Sequence, residues 1–268
     1  MKQFILSLLF LSIQLFAFPN DMWMRAKIID TNDQIIVKAI FNSYMADKEE
    51  AKIKKIKPDF ITHIIAKVEN IKVYEAYTSG FVSKRPRIEF KVKKSLYGKT
   101  IKFIIVDNNG HIKSKSLNIK NITTKKLKME SESKLLFQNK RTNKPKVWEC
   151  KTSKEAIQEF YGLSEIIDSG INIEFTDKDK VSIFSGEIYV LNPVRIRITS
   201  LLDLESIGIF VDGNPRSAVS ILTIPKNGII YYEIPIKIRG DSIITIIGNS
   251  RDGKLYKISK HIKAYIHG

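Results

Sequence analysis

Cysteine is almost missing from this chain. Cys150 is the sole one in 268 residues, so no internal disulfide can form and the fold must rest on its core. Histidine is nearly as scarce. His63, His111, His261 and His267 lie apart, without the spacing of a metal site. No metal and no cofactor is expected. A Gly-x-Ser-x-Gly elbow, a phosphate loop, a His-Glu-x-x-His pair and a glycine-rich dinucleotide fingerprint are all absent. Carboxylates are outnumbered, 28 against 45 Lys and Arg, and no pair is marked out by its surroundings. These gaps argue against an enzyme, and no catalytic residue is nominated. Beyond the N-terminus no apolar run approaches membrane-spanning length.

What is present is globular: 43% hydrophobic and 27% charged residues, with a formal net charge of +17. Such an excess attracts anions, whether acidic proteins, small oxyanions, membrane surfaces or nucleic acid. A general richness in Lys, Ile and Asn is the competing explanation. Residues 1–17 have the form of a secretory signal peptide, with Lys2, an apolar stretch from Phe4 to Phe16, and Ala17 at the cleavage position. No Cys follows it to take a lipid. The mature chain is expected in the periplasm, which argues against nucleic acid as the anion.

Period-two alternation dominates the mature chain and predicts an all-β fold. Ile35, Val37, Ala39 and Phe41 alternate with other residues, as do Val73, Glu75 and Tyr77, then Ile88, Phe90 and Val92, then Ile101, Phe103 and Ile105. Asp107-Asn108-Asn109-Gly110 is a hairpin turn, because Asn and Gly accept positive φ. Ala46 to Lys57 is so dense in charge that it reads as a solvated loop rather than a helix. Residues 18–120 form one expected sandwich. Residues 121–151 carry nine Lys and Arg against three Glu, with sparse apolar residues, and read as a basic linker. Thr152 and Glu155 have the spacing of a capping box. They open a short helix with Ala156, Ile157, Phe160 and Tyr161 on one stripe and Gly162 at its end. Residues 152–268 make a second sandwich, with strands expected at 171–175, 186–190, 195–199, 206–211, 219–223, 229–236, 242–249 and 255–266.

Few residues offer chemistry. Cys150 stands near Lys146 and Lys151, and a thiolate beside cations is more reactive. The alternative is a thiol that packs with Trp148 at the helix start. Asn214 and Pro215 lie in a turn from Asp212 to Pro215 that either faces a partner or simply suits those residues. The last strand leads to Ile266, His267 and Gly268.

Two sets of motifs carry a family resemblance. Met24-Arg25-Ala26-Lys27-Ile28, Ile36 to Phe41 and Lys57-Pro58-Asp59-Phe60-Ile61 resemble the opening of SoxZ, one subunit of the bacterial sulfur-oxidation carrier. Ser79 to Pro86 and Val106 to Gly110 continue the likeness, which covers most of residues 24–119. Ser206 to Pro215, Asp252 to Tyr256 and Ser259 to Lys263 resemble SoxY, the other subunit, over 152–268. The resemblance implies two immunoglobulin-like sandwiches packed as that heterodimer packs, here in one chain. The family's carrier thiol sits on a C-terminal Gly-Gly-Cys-Gly-Gly arm. By this placement the sequence stops just before that cysteine, so the resemblance implies a docking module rather than a covalent carrier. Its implied partners are periplasmic redox, Sox-like or quinoprotein dehydrogenase-type proteins. Ile266, His267, Gly268, Asn214 and Pro215 are then docking candidates. A carrier that uses Cys150, and a structural or adhesive sandwich, are the alternatives.

Overall fold

A computed structural model describes residues 22–120, 122–132, 144–162, 165–226 and 228–265. The expected leader lies outside them, as do Ile266, His267 and Gly268. Among the described residues no helix is long and apolar enough to cross a membrane.

The chain is all-β, as its alternation predicts. In order it forms β1 (Trp23–Asp30), β2 (Gln34–Phe41), helix α1 (Lys48–Ile53), β3 (Ile61–Val68), β4 (Ile71–Thr78), β5 (Arg87–Lys93), β6 (Thr100–Asp107), β7 (Ile112–Asn118), β8 (Ile122–Lys128) and β9 (Glu130–Glu132). A 3₁₀ turn (Pro145–Glu149) and helix α2 (Ser153–Tyr161) follow. Then come β10 (Ile166–Ile167), β11 (Ile171–Phe175), β12 (Val181–Phe184), β13 (Glu187–Leu191), β14 (Val194–Ser200) and β15 (Leu204–Val211). The last four are β16 (Ala218–Thr223), β17 (Tyr231–Ile236), β18 (Ser242–Ser250) and β19 (Leu255–Tyr265).

These strands make two facing sheets, and both run through both halves of the chain. One has seven strands in the order β11-β14-β17-β5-β2-β1-β8. The other has twelve strands, with β12-β13-β19-β18-β15-β16-β4-β3-β6-β7-β9 as its main path. The halves therefore meet edge to edge twice. β4 pairs with β16, Thr78 opposite Ser220, and β5 pairs with β17, Phe90 opposite Tyr232. Each junction gives an edge strand the backbone partners it would otherwise lack. The apolar faces close over one core. Fully buried Tyr74 of β4 packs on Phe90 at 4.8 Å and on Tyr232 from the other half at 5.8 Å.

Two readings need correction. The charged stretch from Ala46 holds helix α1, because Asp47 caps it: its side chain accepts from the Glu50 N–H at 2.8 Å. The expected linker is structured at both ends. β8 and β9 add strands to the first half, and the 3₁₀ turn buries Val147 and Trp148. Edge strands need no apolar alternation, and lysines are common on them. The segment 133–143 lies outside the described residues. The expected start of α2 is present. Thr152 accepts from the Glu155 N–H at 3.2 Å while Glu155 reaches back to the Thr152 N–H at 3.3 Å, which completes the capping box.

Around the seam the loops interlock as well. Ser79 Oγ donates to the Ala218 carbonyl at 2.9 Å, and Lys237 N donates to the Phe81 carbonyl at 2.7 Å. Lys237 Nζ reaches the Met45 carbonyl at 2.6 Å and Glu50 at 2.7 Å. Arg239 bonds Asp47 at 2.6 Å, and Arg216 bridges Glu49 at 3.3 Å and Glu149 at 2.8 Å. Gly80 sits so close to Asp47 that a Cβ there would lie 2.5 Å from the Asp47 Cβ and 2.8 Å from its Cα.

Candidate functional site

Cys150 closes the 3₁₀ turn on the outer face of the twelve-stranded sheet. The turn and α2 cover a second apolar cluster there, formed by Val147, Trp148, Ala156, Phe210, Ile221 and Ile247 among others, and half-buried Cys150 packs against it. Its carbonyl accepts from the Ser217 N–H at 3.0 Å, so its backbone is pinned. The electrostatics oppose thiolate formation. Burial pushes the Cys150 thiol pKa up, and the carboxylates of Glu155, Glu159 and Glu149 push it further the same way. The cationic neighbours seen in the sequence, Lys146 and Lys151, do not outweigh them. The Cys150 Sγ lies 3.5 Å from the Lys146 carbonyl, i to i−4 along the turn.

Asn214 is buried rather than displayed. Its Nδ2 donates to the Lys237 carbonyl at 3.0 Å and its Oδ1 accepts from the Arg239 N–H at 3.1 Å. It thereby ties the β15–β16 turn to the loop after β17. Pro215 beside it is exposed. At the start of the same turn Asp212 accepts from the Ser153 N–H at 2.6 Å, at the first residue of α2. Turn, helix start and Cys150 are thus neighbours, although 59 residues separate Asp212 from Ser153.

The last strand frames this region. β19 runs antiparallel to β18 and, at its end, parallel to β13, with Tyr189 opposite Lys263 and Leu191 opposite Tyr265. Tyr265 stacks on Tyr189 at 5.4 Å. Lys263 pairs with Asp241 at 3.3 Å. An open cleft of about 470 Å³ lies against the end of β19, lined by Glu187, Asp212, Asp241, His261 and Lys263 among others. A second, of about 530 Å³, runs between α2 and β19 and shares Asp212, Ile243 and His261 with the first. The strand expected at 186–190 is β13, but its partner β12, whose Ile183 and Phe184 are exposed, was not expected. The signal for the hairpin is the Ser185-Gly186 turn, both residues at positive φ.

Among the described residues no group of three or more His, Cys, Asp or Glu could hold a metal ion. The most perturbed carboxyl, Glu75, is elsewhere, on the outer face of β4. Burial would raise it, but hydrogen bonds from His63 at 3.1 Å and Lys72 at 2.6 Å prevail and bring its pKa down to about 2. His63 is stacked on Tyr77 at 4.2 Å, and all of these bonds are satisfied within the sheet.

Comparison with known proteins divides the chain in two. Residues 25–118 match the family model "Sulphur oxidation protein SoxZ", and residues 188–268 match "Sulfur oxidation protein SoxY". No curated protein matches. Among solved structures, the sulfur carrier protein SoxY from Chlorobium limicola f thiosulfatophilum aligns at 17% identity, over 42% of this chain and 96% of that one, with a TM-score of 0.35. A superoxide reductase (neelaredoxin) from Ignicoccus hospitalis aligns at 14% identity, over 36% and 81%, with a TM-score of 0.28.

Proposed function

We propose that this chain, a SoxZ-like half fused to a SoxY-like half and related to the sulfur-oxidation carrier, is a periplasmic adaptor that docks redox or sulfur-handling proteins without carrying the substrate covalently. One observation carries the proposal. The sole thiol of the sequence, Cys150, is half-buried at the end of the 3₁₀ turn against the apolar cluster, and its surroundings favour the protonated form. A carrier thiol must ionise to attack and must move between partner active sites, and Cys150 is placed for neither. The region around the end of β19, with its open clefts, Tyr189–Tyr265 stack and exposed Pro215, is the docking surface in this reading. The leader-like residues 1–17 support the periplasmic setting of this reading.

The test is intact-mass measurement of the purified chain after incubation with thiosulfate or sulfide. No sulfur adduct is expected. A stoichiometric adduct that vanishes in Cys150→Ser would overturn the adaptor reading in favour of a carrier. Pull-down from periplasm is expected to recover a redox or sulfur enzyme, and its loss with Tyr265→Ala and Pro215→Glu together would map the docking surface.

A further inference from the structure

The outer face of the seven-stranded sheet carries charge in rows, and two adjacent rows differ. In one, Lys38 of β2 stands opposite Glu89 of β5, Glu89 opposite Glu233 of β17, and Glu233 opposite Arg197 of β14. That row neutralises itself, with Lys38–Glu89 at 2.7 Å, Arg197–Glu233 at 2.9 Å and Arg197–Glu174 at 3.0 Å. The next row has no such pattern. Lys126 of β8 is opposite Arg25 of β1, Arg25 opposite Ile40 of β2, and Ile40 opposite Arg87 of β5. The row ends at Pro235 of β17 opposite Arg195 of β14.

Arg195 is paired, with Asp177 at 3.0 Å and Glu233 at 3.3 Å. The other described cations of the strip are paired weakly or not at all. Arg87 comes no closer than 4.0 Å to Glu89, and its Nε is buried without a hydrogen-bond partner. Arg25 and Lys84 lie over the rings of Trp23 and Tyr44. Among the described residues, neither of these two nor Arg85 has an ion-pair partner. The 83–86 segment brings Lys84 and Arg85 to the row because it bulges between two pairings, Val82 with Ile236 and Glu89 with Glu233. Arg85 sits there at φ 53°, its N–H held by the Ser43 carbonyl at 2.8 Å. Lys180 enters from the second half, bonded only to the Pro193 carbonyl at 2.8 Å. Together these groups line an open cleft of about 470 Å³ across the seam, where the one lining carboxylate is Asp177.

Six cations around one cleft with a single carboxylate concentrate positive potential there, which an anion would relieve. The extent of the strip says what kind. From Arg25 on β1 to Arg195 on β14 is four strand spacings of about 4.8 Å, roughly 19 Å in all. A single small oxyanion would cover only a fraction of that length. We infer that this strip is an interaction surface for an acidic segment of a partner protein. The inference goes beyond the adaptor proposal and does not require the Sox assignment.

A fluorescein-labelled deca-glutamate peptide, followed by anisotropy with the full chain, tests this. Arg25→Gln with Arg85→Gln removes two exposed cations of the strip. Lys52→Gln with Lys120→Gln removes two exposed charges away from it. The expected result is at least fivefold weaker binding for the strip variant and less than twofold for the control, with both circular dichroism melts unchanged. Equal weakening in both would overturn the inference, because the affinity would then belong to net charge alone. Should the strip variant melt early, Lys84→Gln alone gives the same reading, with at least twofold weakening expected. Complete displacement by millimolar sulfate, where chloride of equal ionic strength leaves the peptide bound, would overturn it in favour of a small-oxyanion site. Displacement by a DNA duplex as readily as by unlabelled peptide would overturn it as generic polyanion attraction.

Discussion

Replacing Lys237 with methionine should loosen the joint between the two halves. The Lys237 side chain is 12% exposed, and its ammonium is held by the Met45 carbonyl at 2.6 Å and Glu50 at 2.7 Å. Burial pulls its pKa down, and Glu50 and Asp47 only partly restore it. The charge is therefore already costly. Charge-assisted bonds contribute about 1.5–3 kcal/mol each, and an unpaired buried carbonyl costs about 1–3 kcal/mol. Methionine keeps the apolar stem and removes the buried charge, which offsets part of the loss. Glu50 also keeps Lys54 at 2.5 Å. The net expectation is a loss of about 2 kcal/mol, or about 5 °C in Tm for a chain of this size. Urea unfolding at pH 7 measures it, with the slope unchanged so that the midpoint reports stability. Glu50→Gln completes a double-mutant cycle with an expected coupling near 1 kcal/mol. A Lys237→Met protein within about 0.5 kcal/mol of the parent, with the two substitutions additive, would refute the idea that this contact holds the seam.

Gly80→Ala should cost about 2 kcal/mol or more through overpacking. Asp47→Gly should not rescue it, because the backbone Cα and N of Asp47, at 2.8 and 2.9 Å, remain in the way; rescue would mean that only the side chain conflicts. Glu75 should give the protein an acid limb. Its folded pKa of about 2 lies below the ordinary 4.5, so its stabilisation is fully present above pH 4.5 and is lost as pH falls toward 2. By linkage about 2 kcal/mol should disappear between pH 6 and pH 3. Urea midpoints of Glu75→Gln should fall less steeply over that window, and parallel curves would remove Glu75 from the account. For Cys150, alkylation rate against pH should titrate above a free thiol, and Glu155→Gln should bring the midpoint down. A midpoint below that of a free thiol would reverse the reading of its surroundings.

How much of this was legible depends on where a strand lies. β2 and β5 were readable because one face meets the core and the other is mostly less buried, which leaves a period of two. β3 was not. Every residue from Ile61 to Ala66 is buried, since Ile64 and Ala66 face the main core while Ile65 joins Ile104, Val106 and Ile112 on the outer side. Burial on both faces erases alternation. β8 failed for the opposite reason, because an edge strand rich in lysine bonds through its backbone and its side chains carry little pattern. The capping box at Thr152 was legible because it depends on four consecutive residues. The environment of Cys150 was not. Lys146 and Lys151 are its neighbours in sequence, whereas Glu155 and Glu159 come close only once α2 coils. Asn214 looked like a surface turn residue for the same reason: Lys237 and Arg239 are 23 and 25 residues away.

The shared sheets give the two surfaces a fixed relation. α2, Cys150 and the clefts near β19 lie on the outer face of the twelve-stranded sheet. The basic strip lies on the outer face of the seven-stranded sheet. One core separates them, so a partner seated on either leaves the other open. The strip draws residues from both halves, Arg25, Lys84, Arg85 and Arg87 from the first and Lys180 and Arg195 from the second. It exists only while β5 and β17 stay paired. The Lys237–Glu50 and Arg239–Asp47 contacts guard that same junction. Weakening the seam should therefore weaken binding at the strip before it unfolds the chain, and a Lys237→Met protein that binds deca-glutamate as tightly as the parent, although less stable, would show that the strip needs only one half.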